Sequence, residues 1–121
     1  MEQVLSDKTI SEQAALFASL ADPTRLKLLQ ILGHQSPPGC RCVNNLCNLL
    51  GITQSAVSQH LRVLRSAGLV IADRRGFRTH YLIDPEGIER CRRVFAAVLS
   101  LSETGREGSC REDCELSGSY D

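Results

Sequence analysis

Residues 43–84 read VNNLCNLLGITQSAVSQHLRVLRSAGLVIADRRGFRTHYLID, and in that order they carry the signals of a short helix, a tight turn, a second helix and a basic β-hairpin. The apolar run Leu46, Leu49, Leu50 stops at Gly51, and Thr53 is placed to cap the next helix by accepting a hydrogen bond from one of its orphan amides. Along that helix Val57, Leu61 and Leu64 recur at i, i+4 and i+7 and form one apolar stripe. Gln54, Ser55, Ser58, Gln59 and Arg62 gather on the opposite side. Those residue types suit base edges: Gln forks onto adenine, Ser donates or accepts at several bases, and Arg forks onto guanine or a phosphate.

Taken alone, the second helix could be an amphipathic helix whose polar side only faces water. Its downstream neighbours argue otherwise. Gly68 ends the helix, and strand-like residues over Leu69–Arg74 and Thr79–Leu82 flank Arg75-Gly76-Phe77-Arg78. From Arg62 to Tyr81 there are five arginines (62, 65, 74, 75, 78) against one aspartate (73), a local charge of plus four in a chain whose 14 basic and 14 acidic residues sum to zero. Basic charge concentrated beside a helix-turn-helix is the footprint of a phosphate backbone. The expected fold is mainly α with a small β-hairpin, a winged helix-turn-helix that binds double-stranded operator DNA. The expected contacts are Thr53, Gln54, Ser55, Ser58, Gln59, Arg62, Arg74, Arg75 and Arg78.

The 121 residues allow one small core, and pairing of two chains would hide more apolar surface. Ser11–Ala21 is expected to be helical. Asp22-Pro23 opens another helix, with Asp as cap and Pro at the first position, which runs to Gly33 and is wrapped by Leu26, Leu28, Leu29, Ile31 and Leu32 as a central core element. The prolines of His34-Gln35-Ser36-Pro37-Pro38-Gly39 forbid helix and deliver Cys40, Arg41 and Cys42 to the next helix start. Pro85 opens a last helix to about Ser102. Its stripe Ile88, Cys91, Phe95, Val98 and Leu99, together with Leu16 of the first helix, is the expected homodimer interface.

Residues 1–102 form the expected winged-helix and dimerisation domain, and 103–121 an acidic tail with six acids against Arg106 and Arg111. No run of roughly eighteen apolar residues and no signal-peptide pattern is present, so no membrane partner and a cytoplasmic location are expected. No nucleophile–base grouping or carboxylate pair marks an enzyme. Histidines 34, 60 and 80 are scattered, and His60 is expected at the DNA-facing or helix-packing surface.

In a reducing compartment the six cysteines point to metal ligation or redox chemistry. Cys91 lies between Ile88 and Phe95 and reads as packing. Cys47 stands on the apolar face with Val43, Leu46 and Leu50, one turn from the helix start, and serves either purpose. Cys40 and Cys42 flank Arg41 at a helix N-terminus, a setting that suits ligating thiolates. Cys110 and Cys114 have no apolar neighbours to justify them. In a helix their i, i+4 spacing puts both sulfurs on one face, as two ligands of a soft ion; the alternative is an incidental or disulfide-prone pair.

Leu20-Ala21-Asp22-Pro23-Thr24-Arg25, Ser55-Ala56-Val57-Ser58-Gln59-His60-Leu61 and Leu64-Arg65-Ser66-Ala67-Gly68-Leu69-Val70 resemble the ArsR/SmtB family of bacterial metal- and metalloid-responsive winged-helix repressors. The likeness extends over roughly residues 14 to 100. It implies a homodimer that blocks a promoter and lets go when a ligand binds. Arsenite- and antimonite-sensing relatives often carry Cys-Val-Cys-Asp-Leu-Cys where this chain has Cys42-Val43-Asn44-Asn45-Leu46-Cys47. Asn44 replaces the middle thiol, so Cys40 or the tail pair would supply the third sulfur. Zinc-sensing relatives use Asp and His on the last helix, and no histidine follows His80.

The metal candidates are therefore Cys40, Cys42, Cys47, Cys110 and Cys114. The expected inducer is As(III) or Sb(III), with Cd(II) and Pb(II) as further candidates and no organic cofactor. A thiol redox or persulfide switch on the same fold is the alternative. A small thiol oxidoreductase or metal chaperone is disfavoured by the basic wing and the lack of Cys-x-x-Cys.

Overall fold

Asp22 and Pro23 fix where the first two helices part. In a computed structural model, which describes residues 6–34 and 41–100, Asp22 adopts extended backbone (φ −148°, ψ 130°) and its Oδ2 accepts the Thr24 and Arg25 amides at 2.9 and 3.1 Å. Helix α1 therefore spans Asp7–Leu20 and α2 spans Pro23–Gly33. The start of α1 lies four residues ahead of the expected Ser11, because Ser6 caps it by accepting the Thr9 amide at 3.1 Å.

Arg25 ties the two helices together. Its Nε donates to Ser19 O at 2.7 Å and its Nη2 to Ala18 O at 3.2 Å, the latter a second donor to a carbonyl that also accepts the Ala21 amide. Its Nη1 lies 3.3 Å from Nδ1 of His60, with Asp22 Oδ2 3.8 Å from the same nitrogen. His60 is thus a packing residue between helices.

The hydrogen bond from the Arg25 amide, opposed by some desolvation but aided by His60, the Thr24 amide and the Arg25 charge, holds the Asp22 carboxyl below its ordinary value of 3.8. A carboxyl depressed in the folded state contributes stability above its unfolded pKa and loses it as pH falls through the folded value. Asp22→Asn should therefore melt below the parent near neutrality, with the gap closing in thermal scans taken progressively below pH 3.8. A gap that stays constant down to that range would show that the charge contributes nothing.

The sequence runs on through β1 (Arg41–Cys42), α3 (Val43–Leu50), α4 (Gln54–Ser66), β2 (Val70–Arg75), β3 (Arg78–Ile83) and α5 (Pro85–Val98). Gly51 turns α3 into α4 at φ 67°, its amide donating to Cys47 O at 2.7 Å. Thr53 caps α4 by accepting the Ala56 amide at 3.2 Å. At the other end Gly68 (φ 79°) closes α4: its amide reaches Arg65 O at 2.9 Å, and the Leu69 amide reaches Leu64 O at 3.0 Å. That is a Schellman arrangement, which needs a left-handed residue at this point.

The sheet is antiparallel in the order β1-β3-β2. No sequence signal marks β1. Its two residues pair Arg41 with Tyr81 and Cys42 with His80, so Cys42, His80 and Asp73 stand side by side across the three strands. The wing is also tighter than expected. Arg75 pairs with Arg78, leaving Gly76 and Phe77 alone in the turn, with Gly76 at φ 65°.

Leu28, Leu32, Leu46, Val57, Leu61, Leu64, Leu69 and Val70 form the buried core, each fully buried leucine contributing roughly 1.5–3 kcal/mol. The α4 stripe is buried as expected. α2 is less central than its composition suggests: only Leu28 and Leu32 are buried, and Leu26 is 44% exposed. Leu29 and Ile31 pack against that core at partial burial, and Leu26 alone of the five expected residues turns away from it.

α5 crosses the Gly68 turn. The Asp84 amide donates to Leu69 O at 3.0 Å, and Gly87 presses its Cα against the Gly68 carbonyl. α5 ends at Val98, with the Leu99 amide closing its last turn on Phe95 O at 3.0 Å, short of the expected Ser102. Cys40 and the tail 103–121 lie outside the described residues.

Candidate nucleic-acid interface

The outward side of α4 carries Ser55, Ser58, Gln59 and Arg62, all exposed, while Val57, Leu61 and Leu64 anchor its other side in the core. Three fully buried side chains on one helix fix its rotation, so the polar row is held facing out. Two further candidates are already engaged. Thr53 Oγ1 is occupied as the helix cap, and Gln54 donates its side-chain amide to Asn44 Oδ1.

The Gln54–Asn44 bond joins the first turn of α3 to the first turn of α4. In the sequence Asn44 reads only as a missing cysteine; a polar residue on an exposed helix start gives no sign of its partner ten positions on. Arg41 Nη1 donates to Asn45 Oδ1 at 2.5 Å, binding β1 to the same turn. Arg62 stands at the rim of a largely apolar cavity of about 730 Å³ between α1 and α4, where Glu12 and Arg25 also lie.

On the wing, Arg74, Arg75 and Arg78 are exposed. Arg75 Nε donates to Asp73 Oδ2 at 2.9 Å. Phe77 projects entirely into solvent between them, 105% exposed.

Cys42 is the N-cap residue of α3 and lines a cleft of about 240 Å³ whose far wall is Phe77, Arg78 and Tyr81. Cys47 is half-buried and packs against the core beside Leu46. Cys42 stands in extended backbone at the end of β1, whereas Cys47 lies in the second turn of α3, so the two thiols are carried by different elements. Among the described residues no group of three His, Cys, Asp or Glu is arranged to hold a metal ion. A three-sulfur site thus needs Cys40, Cys110 or Cys114, which lie outside the described residues.

Cys91 also packs on the core, and burial raises its thiol pKa, which keeps it protonated. Leu16 and Ile88 likewise pack on the chain's own core. Phe95, Val98 and Leu99 are 48%, 42% and 58% exposed, and Phe95 meets Phe17 of α1 edge to face with ring centroids 5.6 Å apart. No described helix is long and apolar enough to cross a membrane.

A family model described as bacterial regulatory protein, arsR family, matches residues 22–72. The transcriptional repressor SmtB homolog of Synechocystis sp. is 34% identical over 101 residues, which is 84% of this chain and 74% of that protein. The chain belongs to the ArsR family of bacterial regulatory proteins. The arsenical resistance operon repressor of Escherichia coli is 40% identical over 70 residues, and that match covers 58% of this chain and 57% of the repressor. A solved homodimeric winged helix-turn-helix DNA-binding domain of a possible ArsR-family regulator from Mycobacterium bovis has a TM-score of 0.60 and 27% identity, over 88% of this chain and 96% of that one. Within this ArsR-family chain the matched residues 22–72 run from the Asp22 cap through α4, with its exposed polar row, to the first strand of the wing.

Proposed function

We propose that this chain is a homodimeric repressor that reads operator DNA with α4 and the wing, and releases it when a soft, thiophilic ion draws thiolates together at the start of α3. The observation that carries this reading is the Asn44–Gln54 bond. It links the helix that starts just after Cys42 directly to the helix that bears Ser55, Ser58 and Gln59. The exposed apolar half of α5, Phe95, Val98 and Leu99, stacked on α1 through Phe17, is the proposed pairing face. The likeness to a homodimeric domain supports it.

Cys42 and Cys47, completed by Cys40, Cys110 or Cys114, are the proposed ligands, and As(III) or Sb(III) the inducer. Three-coordinate thiolate chemistry suits these ions, and the likeness to an arsenical resistance repressor points the same way. The tail 103–121 is proposed as an accessory arm whose cysteines close the site. A covalent disulfide or persulfide switch is the competing reading, favoured by Cys42, Cys47 and Cys91 being free thiols.

The deciding experiment titrates reduced protein, bound to a duplex selected from a random-sequence pool, with arsenite, antimonite, Cd(II), Pb(II), Zn(II) and persulfide. Release reversed by a chelator supports ion sensing, and release reversed only by reductant supports the redox reading.

The same binding assay tests the division of labour. Ser58→Ala or Gln59→Ala should cost about 1–3 kcal/mol and relax base preference. Arg78→Ala should weaken all duplexes alike and lower the salt slope by about one unit. Arg75→Ala should do less, since Asp73 already holds that guanidinium. Identical losses on selected and random duplexes for all four variants would remove the assignment of α4 as base reader.

A further inference from the structure

Phe77 has no structural reason to be aromatic. It is 105% exposed at the second position of a two-residue turn, with Arg75 and Arg78 paired immediately beneath it. Among the described residues its ring is the most exposed of the large apolar side chains. The turn itself asks for nothing there, because the left-handed position is filled by Gly76. An aromatic ring presented at the tip of a hairpin whose strand ends carry the exposed Arg74, Arg75 and Arg78 matches a surface that is anionic outside and apolar within. The stacked duplex has that composition, with phosphates flanking the floor of the minor groove.

We propose that Phe77 is an apolar wedge that enters the minor groove beside each half-site and partly unstacks one base step. The proposal rests on the DNA-reading conclusion above and deepens it. With α4 in the major groove, the hairpin beyond it reaches the neighbouring groove, where the arginines bracket the phosphates on either side of the ring. An inserted side chain kinks the duplex, and pyrimidine–purine steps unstack most easily. The chain would then prefer such a step at a position where it makes no base-edge hydrogen bond. Phe77 also forms part of the cleft that holds Cys42, so a ligand at that thiol would sit against the wedge itself.

The test uses the full chain and the selected duplex, with 2-aminopurine replacing adenine one position at a time outside the half-sites. The wild type should raise the fluorescence at one step on each side, and Phe77→Ala should not. Phe77→Ala should weaken binding by about 5- to 100-fold, the range of a lost ring–base stack. Changing the responsive step to AA should weaken the wild type while leaving Phe77→Ala unaffected. The variant should melt and sediment as the parent does, since the ring supports nothing in the fold.

Unchanged affinity or unchanged 2-aminopurine signal in Phe77→Ala overturns the wedge while leaving the DNA-reading conclusion standing. A change of oligomeric state in Phe77→Ala would assign the ring to a protein contact. Binding of the wild type to phosphatidylserine vesicles that Phe77→Ala abolishes would assign it to a lipid surface. Either result overturns the proposal. A wild type that binds no duplex overturns the DNA-reading conclusion as well.

Discussion

Gly87→Ala is expected to lower the stability of the chain by about 3–5 kcal/mol, since an added methyl meets closer backbone there than at any other described glycine. A Cβ built at Gly87 falls 1.7 Å from the Gly68 carbonyl oxygen and 2.8 Å from its carbon. Neither atom can rotate away. The Gly68 backbone is held by its own bond to Arg65 O and by the Leu69 amide on Leu64 O. α5 is pinned to the same turn by the Asp84 amide on Leu69 O. Restoring an ordinary carbon–oxygen contact would require α5 to move out by about 1.5 Å, stripping Ile88 and Cys91 from the core.

For a domain of this size the expected loss corresponds to a fall in melting temperature of roughly 15–30 °C in a circular-dichroism scan. Gly33→Ala is the matched control. Its Cβ would meet nothing nearer than Ile83 Cγ1 at 4.0 Å, and alanine favours helix, so that variant should melt at or slightly above the parent temperature. Similar melting of the two variants would mean that α5 does not cross the Gly68 turn.

Cys42→Ser/Cys47→Ser should bind DNA in reduced buffer almost as the parent does, yet need about 5- to 150-fold more inducer for half-release. That range corresponds to a coupling of about 1–3 kcal/mol between the thiolate site and the reading head. The separation is physical. Neither sulfur belongs to the exposed row of α4. Cys42 stands at the N-cap position of α3 and Cys47 lies within it, and the first turn of that helix is bonded to α4 through Asn44 and Gln54. A ligand that gathers the two sulfurs would pull on α3 both at its N-cap position and in its second turn, and the Asn44–Gln54 bond gives that movement a path to α4.

Cys91→Ser is the internal control, since this thiol sits on α5, packs on the core and has its pKa raised by burial; the variant should lose some thermal stability and keep the full response. Release of the double variant at the parent's arsenite and antimonite concentrations would exclude the α3 thiols from the primary site and leave Cys40, Cys110 and Cys114 to account for it.

The helix-turn-helix and its wing were legible because their signals are local. A cap such as Asp22 or Thr53 and a stop such as Gly51 or Gly68 each act within one turn of backbone. The stripe Val57, Leu61, Leu64 needs only helical periodicity to declare its buried side. The membership of α4, the position of the wing and the Asp22-Pro23 helix start could therefore be read residue by residue.

What the tertiary structure decided depends on partners far along the chain. Two residues carry no periodicity, so β1 exists only because β3 offers Arg41 and Cys42 a free edge. The stripe of α5 reads as one face in sequence, yet its N-terminal half covers the core while Phe95, Val98 and Leu99 emerge beyond the core's edge. Gly87 looks like a weak helix residue until the Gly68 carbonyl is placed against it. Asn44 and Phe77 likewise take their meaning from what stands opposite them, Gln54 in one case and open solvent in the other. A sequence states the preferences of each segment, but a contact between segments belongs to both, and only the packed chain brings the two together.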